Sequence, residues 1–405
     1  MIRVMAWRNL WRHKRRTLLT ASSMAASVAV CIAMSGITAG FLEAMRVAVV
    51  DRQVGHVQVH DPDYPTTLAP SDTVADASAV LDRLRASDGV TAAAPRVHAF
   101  GMFAAGKHTA TGSLLGVDPR SEAALSAMDD RVTVGGWLDD EDAVVVGYRL
   151  ARDLRVQVGD SVRILSRSAS GFPRQVSLPV AGIYRTTNLA LDDGAVVPLA
   201  VAQDLLRLQD AIHEIVVLTD DPDTIDARLP ALARAAGPSA LVRPWWDIAP
   251  DVVSMLAMQG ATVGLFALVI IGIAAFIIIN TLLMSVYERT RELGILAAVG
   301  TRPGQIVGLV LSESFLLAVL SGLLGLAGGL LADLYLAKVG LNLAVAEGEG
   351  FQLGGVVLDP RIHAVVTADT VLIPLGALFL VGVVGGLWPA LHAARLDPIT
   401  AIRSE

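Results

Sequence analysis

Few stretches of this sequence combine the residue types and the spacing that a catalytic or binding site requires. The run Gly101–Lys107 has the glycines and the lysine of the phosphate-binding P-loop, GxxxxGK(S/T). The next position must carry a hydroxyl group to hold magnesium, and here it is His108. We therefore interpret this run as a turn between two strands.

The other reactive residue types show no catalytic spacing either. The eight histidines include no HExxH motif and no paired metal-ligand arrangement. Ser113, Ser121 and Ser126 lack the GxSxG setting of an activated nucleophile. The single cysteine, Cys31, lies in an apolar run and is expected to be a buried thiol. We expect no enzyme activity, no metal site and no cofactor bound by this chain.

Two acids interrupt a long apolar stretch near the end of the chain. Glu313 and Asp333 lie within about two turns of the ends of a long predicted helix. An acid inside a membrane span is costly and indicates function by default. We expect each side chain to reach the membrane interface or to pair with a neighbouring helix. A substrate path is the alternative.

Four stretches are long and apolar enough to cross a membrane. Of the 405 residues, 53% are hydrophobic and 18% are charged, against about 25% charged residues in an average soluble protein. A helix needs about 20 mostly apolar residues to cross the hydrocarbon core. The first stretch is longer than the apolar part of a cleaved signal peptide, so we interpret it as an anchor. We predict transmembrane helices over residues 17–45, 253–284, 306–336 and 371–391.

The uneven distribution of charge predicts the orientation of these helices. Residues 1–50 carry a net charge of +6, residues 51–252 carry −10 and residues 253–405 carry −3. Lys and Arg close to the ends of spans mark the cytoplasmic side. Both termini are therefore expected in the cytoplasm. The predicted cytoplasmic segments are 1–16, 285–305 and 392–405, and the predicted extracytoplasmic segments are 46–252 and 337–370.

The large segment between the first two spans has the pattern of a folded domain. Gly55–His60 alternates like a strand, and Asp76–Ser87 has helical spacing. Further strands are predicted at Val144–Val146, Ser161–Ser166, Val176–Tyr184 and Glu214–Thr219, with helices at Arg149–Val156 and Gln203–Leu208. The predicted fold is an integral membrane protein with four transmembrane α-helices and a large α+β extracytoplasmic domain between helices 1 and 2.

The segment Ser285–Gly300 predicts a short helix along the cytoplasmic face. Its charges are concentrated before a short apolar run, and the helix must end before Pro303. An amphipathic helix there rests on lipid or docks into a groove of a partner. Because its acids and bases are intermixed, we favour a protein partner.

This helix also carries a specific resemblance. Tyr287–Gly300, which reads YERTRELGILAAVG, resembles the signature of the FtsX-like permease superfamily of ABC transporters, which includes the MacB-type macrolide exporters. The similarity continues at Gln305, Ile306, Glu313, Gly322, Gly325 and Gly329, in the tail 389–403, and in the outer domain at Val145–Gly147 and Val158–Asp160. Within the superfamily, Gly55–His60 and Phe172–Arg174 are most similar to the lipoprotein-releasing LolC/LolE branch.

The resemblance implies a permease that transmits motion and binds no nucleotide itself. ATP and magnesium would be held by a separate dimer of cytoplasmic ABC ATPases. The residues implied in coupling to these ATPases are Glu288, Arg289, Arg291, Glu292, Leu293, Gly294, Ile295, Leu296, Val299 and Gly300. The outer domain would be porter-like, with a small lobe inserted near residues 112–180. The location implied is the bacterial plasma (inner) membrane.

The same resemblance implies further partners and a substrate class. A second permease copy or a paralogue and membrane lipids are expected, and no nucleic acid. A periplasmic carrier or adaptor would dock at a hairpin formed by Gly171, Phe172, Pro173 and Arg174. The substrate to be extruded or released would be a lipoprotein or a lipid. One alternative is a transmembrane regulator of an envelope hydrolase or a stress response without transport, and another is an ATP-independent receptor or anchor.

Overall fold

A computed structural model of the chain describes residues 5–6, 8, 11–12, 14–139, 142–186, 189–342, 351–353, 356–358 and 361–395. Parts of the predicted cytoplasmic head 1–16, of the predicted loop 337–370 and of the predicted tail 392–405 therefore lie outside the described residues. The same holds for the end of the tail motif, 396–403.

The helices have the following bounds. They are α1 (Lys14–Arg46), α2 (Tyr64–Thr67), α3 (Ala77–Arg85), α4 (Pro119–Ser126), α5 (Tyr148–Leu154), α6 (Leu189–Asp192), α7 (Leu199–Leu206), α8 (Ile225–Ala236), α9 (Trp245–Ile248), α10 (Pro250–Glu288), α11 (Thr290–Ala298), α12 (Pro303–Val339) and α13 (Ala368–Ala394). A π-helix, Val47–Val54, follows α1, and short 3₁₀ turns occur at Asp129–Arg131 and Pro222–Thr224.

The strands have the following bounds. They are β1 (Val57–His60), β2 (Val90–Ala105), β3 (His108–Val117), β4 (Val132–Gly135), β5 (Val144–Gly147), β6 (Ser161–Arg167), β7 (Pro173–Tyr184), β8 (Ala195–Pro198), β9 (Glu214–Thr219), β10 (Leu241–Pro244), β11 (Leu341–Asn342), β12 (Phe351–Leu353), β13 (Val356–Leu358) and β14 (Arg361–Ile362). The predicted strands and helices of the outer domain are all found. The helix predicted at 203–208 begins earlier, at Leu199, because Pro198 fixes its start.

The chain divides into two compact units. The helical unit comprises Met1–Glu43, Met255–Leu343 and Pro360–Glu405, and the α+β unit comprises Ala44–Ser254 and Ala344–Asp359. Among the described residues, four helices are long and apolar enough to cross a membrane, as predicted: α1, α10, α12 and α13. The 37 residues of α12 span about 55 Å, which exceeds the roughly 30 Å of a hydrocarbon core.

Glycines allow the helices of the helical unit to pack closely. A Cβ atom at Gly325 would lie 2.8 Å from Val28, and one at Gly329 would lie 2.8 Å from Ile32, so α12 contacts α1 through these two positions. At the end of α1, a Cβ atom at Gly40 would lie 1.8 Å from the carbonyl oxygen of His363. Small residues allow membrane helices to approach closely, and Gly325 and Gly329 do so here.

The α+β unit is built around a closed circuit of six strands. The long strand β2 pairs with β3, which continues through β8, β5, β7 and β6 back to the second half of β2. Buried side chains such as Phe103, Leu114 and Ile164 fill this part of the core. The first half of β2 pairs instead with β9, which leads to β1 and β10. The predicted lobe near 112–180 therefore shares its sheet with β2 and β8.

The run Gly101–Lys107 is part of a hairpin. Ala105 pairs with His108 across the two-residue turn Gly106-Lys107, and Gly106 adopts a φ of 55°. The preceding residues belong to β2 and are hydrogen-bonded in its ladder. The interpretation as a turn between strands is confirmed, and the backbone is not free to cradle a phosphate.

A buried ion pair fixes the point where β2 changes partners. The side chains of Arg96 and Glu122 are 6% and 0% exposed. Arg96 Nε and Nη2 donate to the two carboxylate oxygens of Glu122 at 2.9 and 2.7 Å. Arg96 Nη1 donates to the carbonyl oxygen of Gln53 at 2.7 Å. One guanidinium group therefore connects β2, α4 and the π-helix.

Candidate functional site

Helix α11 is held between α10 and α12 by tight turns at both of its ends. The chain leaves α10 at Glu288 and re-enters a helix at Thr290 after one residue, Arg289. At the other end, Gly300 has a φ of 97°, which favours glycine, and its N–H donates to Ala297. Pro303 then begins α12, where its missing N–H is tolerated. These local features set the length of the predicted coupling helix.

The predicted coupling residues divide between two faces of α11. Leu293 and Gly294 are buried, and Leu293 packs in a cluster with Val286, Ile306, Val310, Ala390 and Ala393, with Leu296 at its edge. Arg291, Ile295 and Val299 are exposed at intervals of four residues, and the exposed fractions of Ile295 and Val299 are 47% and 82%. Residues spaced by four lie on one side of a helix. This exposed face of α11 is the part that a partner can reach.

A chain of ion pairs connects the buried side of α11 to its neighbours. Arg289 Nη1 lies 2.9 Å from Glu313 on α12, and its Nε lies 3.1 Å from Glu292 on α11. Glu292 also accepts from Arg12 at 2.7 Å. The side chains of Arg289 and Glu313 are almost fully buried, whereas Arg12 and Glu292 are exposed. The buried pair therefore ties α11 firmly to α12, and the exposed pair adds little.

The charges of this network are stabilised by one another. Burial opposes ionisation of Arg289, but the carboxylates of Glu313 and Glu292 outweigh it and raise the pKa of the guanidinium group. For Glu292, burial also opposes ionisation, but hydrogen bonds from Arg289 and Arg12 outweigh it and lower the pKa of its carboxyl group. Arg289 and Glu292 therefore stay charged near neutral pH.

The two acids of α12 have different surroundings. Glu313 pairs with Arg289, which lies in the turn between α10 and α11. Asp333 makes no such pair among the described residues. Its side chain is fully buried, and neither carboxylate oxygen has a hydrogen-bond partner among the described residues. A Cβ atom at Gly36 of α1 would lie 2.3 Å from Asp333 Oδ1, so helix packing prevents this short side chain from reaching the surface.

Both halves of the chain match known domains. Residues 17–234 match the MacB-like periplasmic core domain, which is more than half of the chain. Residues 264–398, which include α11, match the FtsX-like permease C-terminal domain. The chain belongs to the FtsX-like, MacB-type permease family. This permease is therefore a membrane protein with an extracytoplasmic domain, and the predicted resemblance is confirmed.

Individual relatives agree with this family. The permease is similar to the lipoprotein-releasing system transmembrane protein LolC of Xylella fastidiosa, with 25% identity over 332 residues that cover 78% of each chain. It is similar to the corresponding LolE of Haemophilus influenzae, with 26% identity over 72% of each chain. It is also similar to the macrolide export ATP-binding/permease protein MacB of Bdellovibrio bacteriovorus, with 28% identity over 64% of the permease and 38% of MacB.

The predicted docking residues lie at the tip of the β6–β7 hairpin. Gly171 has a φ of 86°, and its N–H donates to Ser168 at 2.8 Å. The hydroxyl of Ser168 donates to the carbonyl oxygen of Phe172, also at 2.8 Å. Phe172 is 70% exposed and is followed by the exposed Pro173, and Arg174 lies 3.5 Å from Asp204. The permease thus presents an aromatic side chain on an ordered turn.

Two sets of contacts in the permease are not evident from its sequence. Arg12 belongs to the basic head, but it pairs with Glu292, 280 positions away. The histidines show no metal-ligand spacing, but His60, His98 and His213 lie in one region of the α+β unit. The strand Val57–His60, in which every residue is buried, could have signalled this region, because buried polar side chains need partners.

Proposed function

We propose that this permease is the transmembrane subunit of an ABC transporter and that a separate cytoplasmic ATPase dimer docks on α11. The observation that carries the proposal is the exposed face of α11. This face carries two exposed apolar side chains, Ile295 and Val299, beside the charged Arg291. Such a combination is typical of a helix that docks into a groove of a partner protein. ATP and magnesium would be bound by the partner ATPases, and this chain would hold no cofactor.

The packing of α11 supports a role in transmitting motion. Its buried side is fixed to α12 by the Arg289–Glu313 pair and by the cluster around Leu293. Closely packed interiors move as rigid bodies rather than deform. A displacement of the exposed face would therefore move α11 together with the neighbouring ends of α10 and α12.

The proposed orientation follows from the charge pattern. With both termini and α11 in the cytoplasm, the α+β unit, which lies between α1 and α10 in the chain, is extracytoplasmic. The proposed location is the bacterial inner membrane. A second permease copy or a paralogue would complete the transporter, surrounded by membrane lipids.

The α+β unit is proposed to extrude or release a substrate, a lipoprotein or a lipid. The similarity to LolC and LolE, whose names describe a lipoprotein-releasing system, supports this substrate class. The exposed Phe172 on its ordered turn supports docking of a periplasmic carrier or adaptor at the hairpin.

The test compares two variants that add one negative charge each. Ile295→Asp changes the exposed face of α11, whereas Gly304→Asp changes an exposed position of α12 where an added Cβ atom contacts nothing. The tagged full chain is purified in mild detergent from its native membranes, and the ATP hydrolysis that co-purifies is measured. We expect at least a tenfold loss for Ile295→Asp and no change for Gly304→Asp.

Leu293→Asp is unsuitable for this test. Leu293 belongs to the buried cluster, so a charge there would disrupt folding whether or not a partner docks. Ile295→Asp is expected to keep the melting temperature of the wild type, because its side chain stays in solvent. Equal retention of ATPase activity by Ile295→Asp and the wild type would overturn the proposed docking face.

A further inference from the structure

The α+β unit contains an open pocket of about 480 Å³, which we call the Tyr64 pocket. Its walls come from β1, α2, β2, β6, β9, β10 and α9. A volume of this size lies within the roughly 300–1,000 Å³ that is usual for small-molecule sites. None of its lining residues belongs to α11 or to the tip of the β6–β7 hairpin, so the proposed function leaves this pocket unexplained.

One side of the Tyr64 pocket is apolar. It is lined by Tyr64 from α2, by Leu68 directly after α2, by Phe100 from β2 and by Ile248 from α9. Phe100 is 79% exposed, although it lies on a strand whose neighbours are mostly covered. An aromatic side chain left in water beside other apolar groups indicates a surface that is covered by a ligand. This side of the pocket suits an acyl chain or a similar apolar group.

The charged side of the pocket is positive. Its one carboxylate, Glu214, lies 2.8 Å from the imidazole ring of His98 and 3.6 Å from the guanidinium group of Arg96. Burial opposes ionisation of Glu214, but these two neighbours outweigh it and lower its pKa to about 2. Arg167 and Arg243 also line the pocket. They donate to the carbonyl oxygens of Gly171 and Asp247, and neither has a carboxylate partner among the described residues.

A buried histidine adds one unused hydrogen-bond acceptor. Gln58 Nε2 donates to the carbonyl oxygen of Val54, so its Oε1 faces His60 and accepts from His60 Nε2 at 2.9 Å. Because Nε2 carries the proton, Nδ1 of the neutral ring is an acceptor. This atom is buried and has no partner among the described residues.

The ring of His60 is held in place by stacking. Tyr64 lies between His60, at a centroid distance of 5.7 Å, and His213, at 5.0 Å. His213 is also neutral, because its Nδ1 accepts from the backbone N–H of His98 at 3.0 Å and its Nε2 donates to the carbonyl oxygen of Pro70 at 3.1 Å. Burial lowers the pKa of both histidines. The stack therefore presents a fixed, uncharged wall.

We propose that the Tyr64 pocket binds an anionic amphiphile, with its apolar chain against Tyr64, Leu68 and Phe100 and its phosphate group near Arg167 and Arg243. The positive charge selects an anion, and the aromatic wall selects a molecule with an apolar part. A glycerophosphate lipid has both features. This proposal is independent of the ATPase coupling proposed above, because the pocket contains no residue of α11.

The test uses the full chain in phosphatidylcholine nanodiscs without nucleotide. It is titrated with dihexanoyl phosphatidylglycerol, and the dissociation constant is measured by calorimetry. We expect at least tenfold tighter binding than for dihexanoyl phosphatidylcholine, which has the same chains without net charge. We also expect at least tenfold tighter binding than for inorganic phosphate, which lacks the chains. If hexanoate binds as tightly as the lipid, the phosphate headgroup is not recognised and the proposal is overturned.

Matched variants locate the binding. Arg243→Gln and Phe100→Ser should each weaken the binding of phosphatidylglycerol at least tenfold. Arg234→Gln is the control, because Arg234 is exposed on α8, donates to the carbonyl oxygen of Pro230 and does not line the pocket. Any of three further results would overturn the proposal. The two phospholipids could bind equally tightly, inorganic phosphate could bind as tightly as phosphatidylglycerol, or both pocket variants could keep the wild-type affinity.

Discussion

Replacing Glu122 by Gln should destabilise the α+β unit, because it leaves the buried guanidinium group of Arg96 with only one carboxylate, that of Glu214 at 3.6 Å. Both side chains are nearly or fully buried, and two hydrogen bonds join them. Removing one partner of a buried pair costs about 3–5 kcal/mol. Glutamine keeps the shape and one acceptor oxygen, so we expect the lower end, about 3 kcal/mol.

This cost corresponds to a clear shift in melting temperature. For a unit of about 150–250 residues, 1 kcal/mol changes the melting temperature by roughly 2–4 °C, so Glu122→Gln should lower it by roughly 6–12 °C. The assay is thermal unfolding of the purified full chain in detergent. Amide hydrogen exchange then locates the loss, which we expect in α4 and in the π-helix, because Arg96 connects both to β2.

The control removes both charges at once. Arg96→Met combined with Glu122→Leu removes the buried pair and leaves Glu214 with His98 at 2.8 Å, and the replacement of such a pair by apolar side chains is often neutral or stabilising. We therefore expect the double variant to melt above Glu122→Gln. If Glu122→Gln melts within about 2 °C of the wild type, the destabilisation is at most about 1 kcal/mol. That result would refute the predicted cost of breaking the buried pair. So would a double variant that is no more stable than the single one.

Two further predictions concern packing and pH. Gly40→Ala should destabilise the helical unit by about 1–3 kcal/mol, because its Cβ atom would overlap the carbonyl oxygen of His363. Gly264→Ala is the control and should not destabilise it, because the added Cβ atom contacts nothing. Equal melting temperatures of the two variants would contradict this prediction. The α+β unit should lose stability on acidification. Burial lowers the pKa of His213, so its protonation reduces the free energy of unfolding below about pH 6.5. The pKa of Glu214 is also lowered, so its protonation reduces the free energy of unfolding further between pH 4.5 and 2. A melting temperature independent of pH from 7 to 3 would contradict both expectations.

The apolar helices could be predicted because hydropathy is a local property of the sequence. The unbroken run Leu265–Ile279 requires a span whatever the rest of the chain does. The ends of the helix could not be predicted from hydropathy. Helix α10 begins at Pro250 and includes Asp251 and Gln259, because polar residues are compatible with a helix outside the hydrocarbon core.

The contacts that build the sites depend on residues far apart in the sequence. Arg96 and Glu122 are 26 positions apart, and neither lies in a recognisable motif. On α11, the spacing of Arg291, Ile295 and Val299 shows that they share a face. It does not show whether that face or the one around Leu293 is buried, since both contain apolar residues. Only the packing of α12 and α13 against α11 decides this.

The outer strands of the large sheet have a consequence for how copies of the permease meet. Strands β4 and β10 stand at the two ends of the strand order, and each has four residues. Strand β10 ends at Pro244, and the register of β4 against β7 is irregular between Val132 and Val134. Short, irregular or proline-containing edges resist the addition of another strand. Neighbouring copies are therefore expected to remain distinct in a crowded membrane, without fusing their sheets into aggregates.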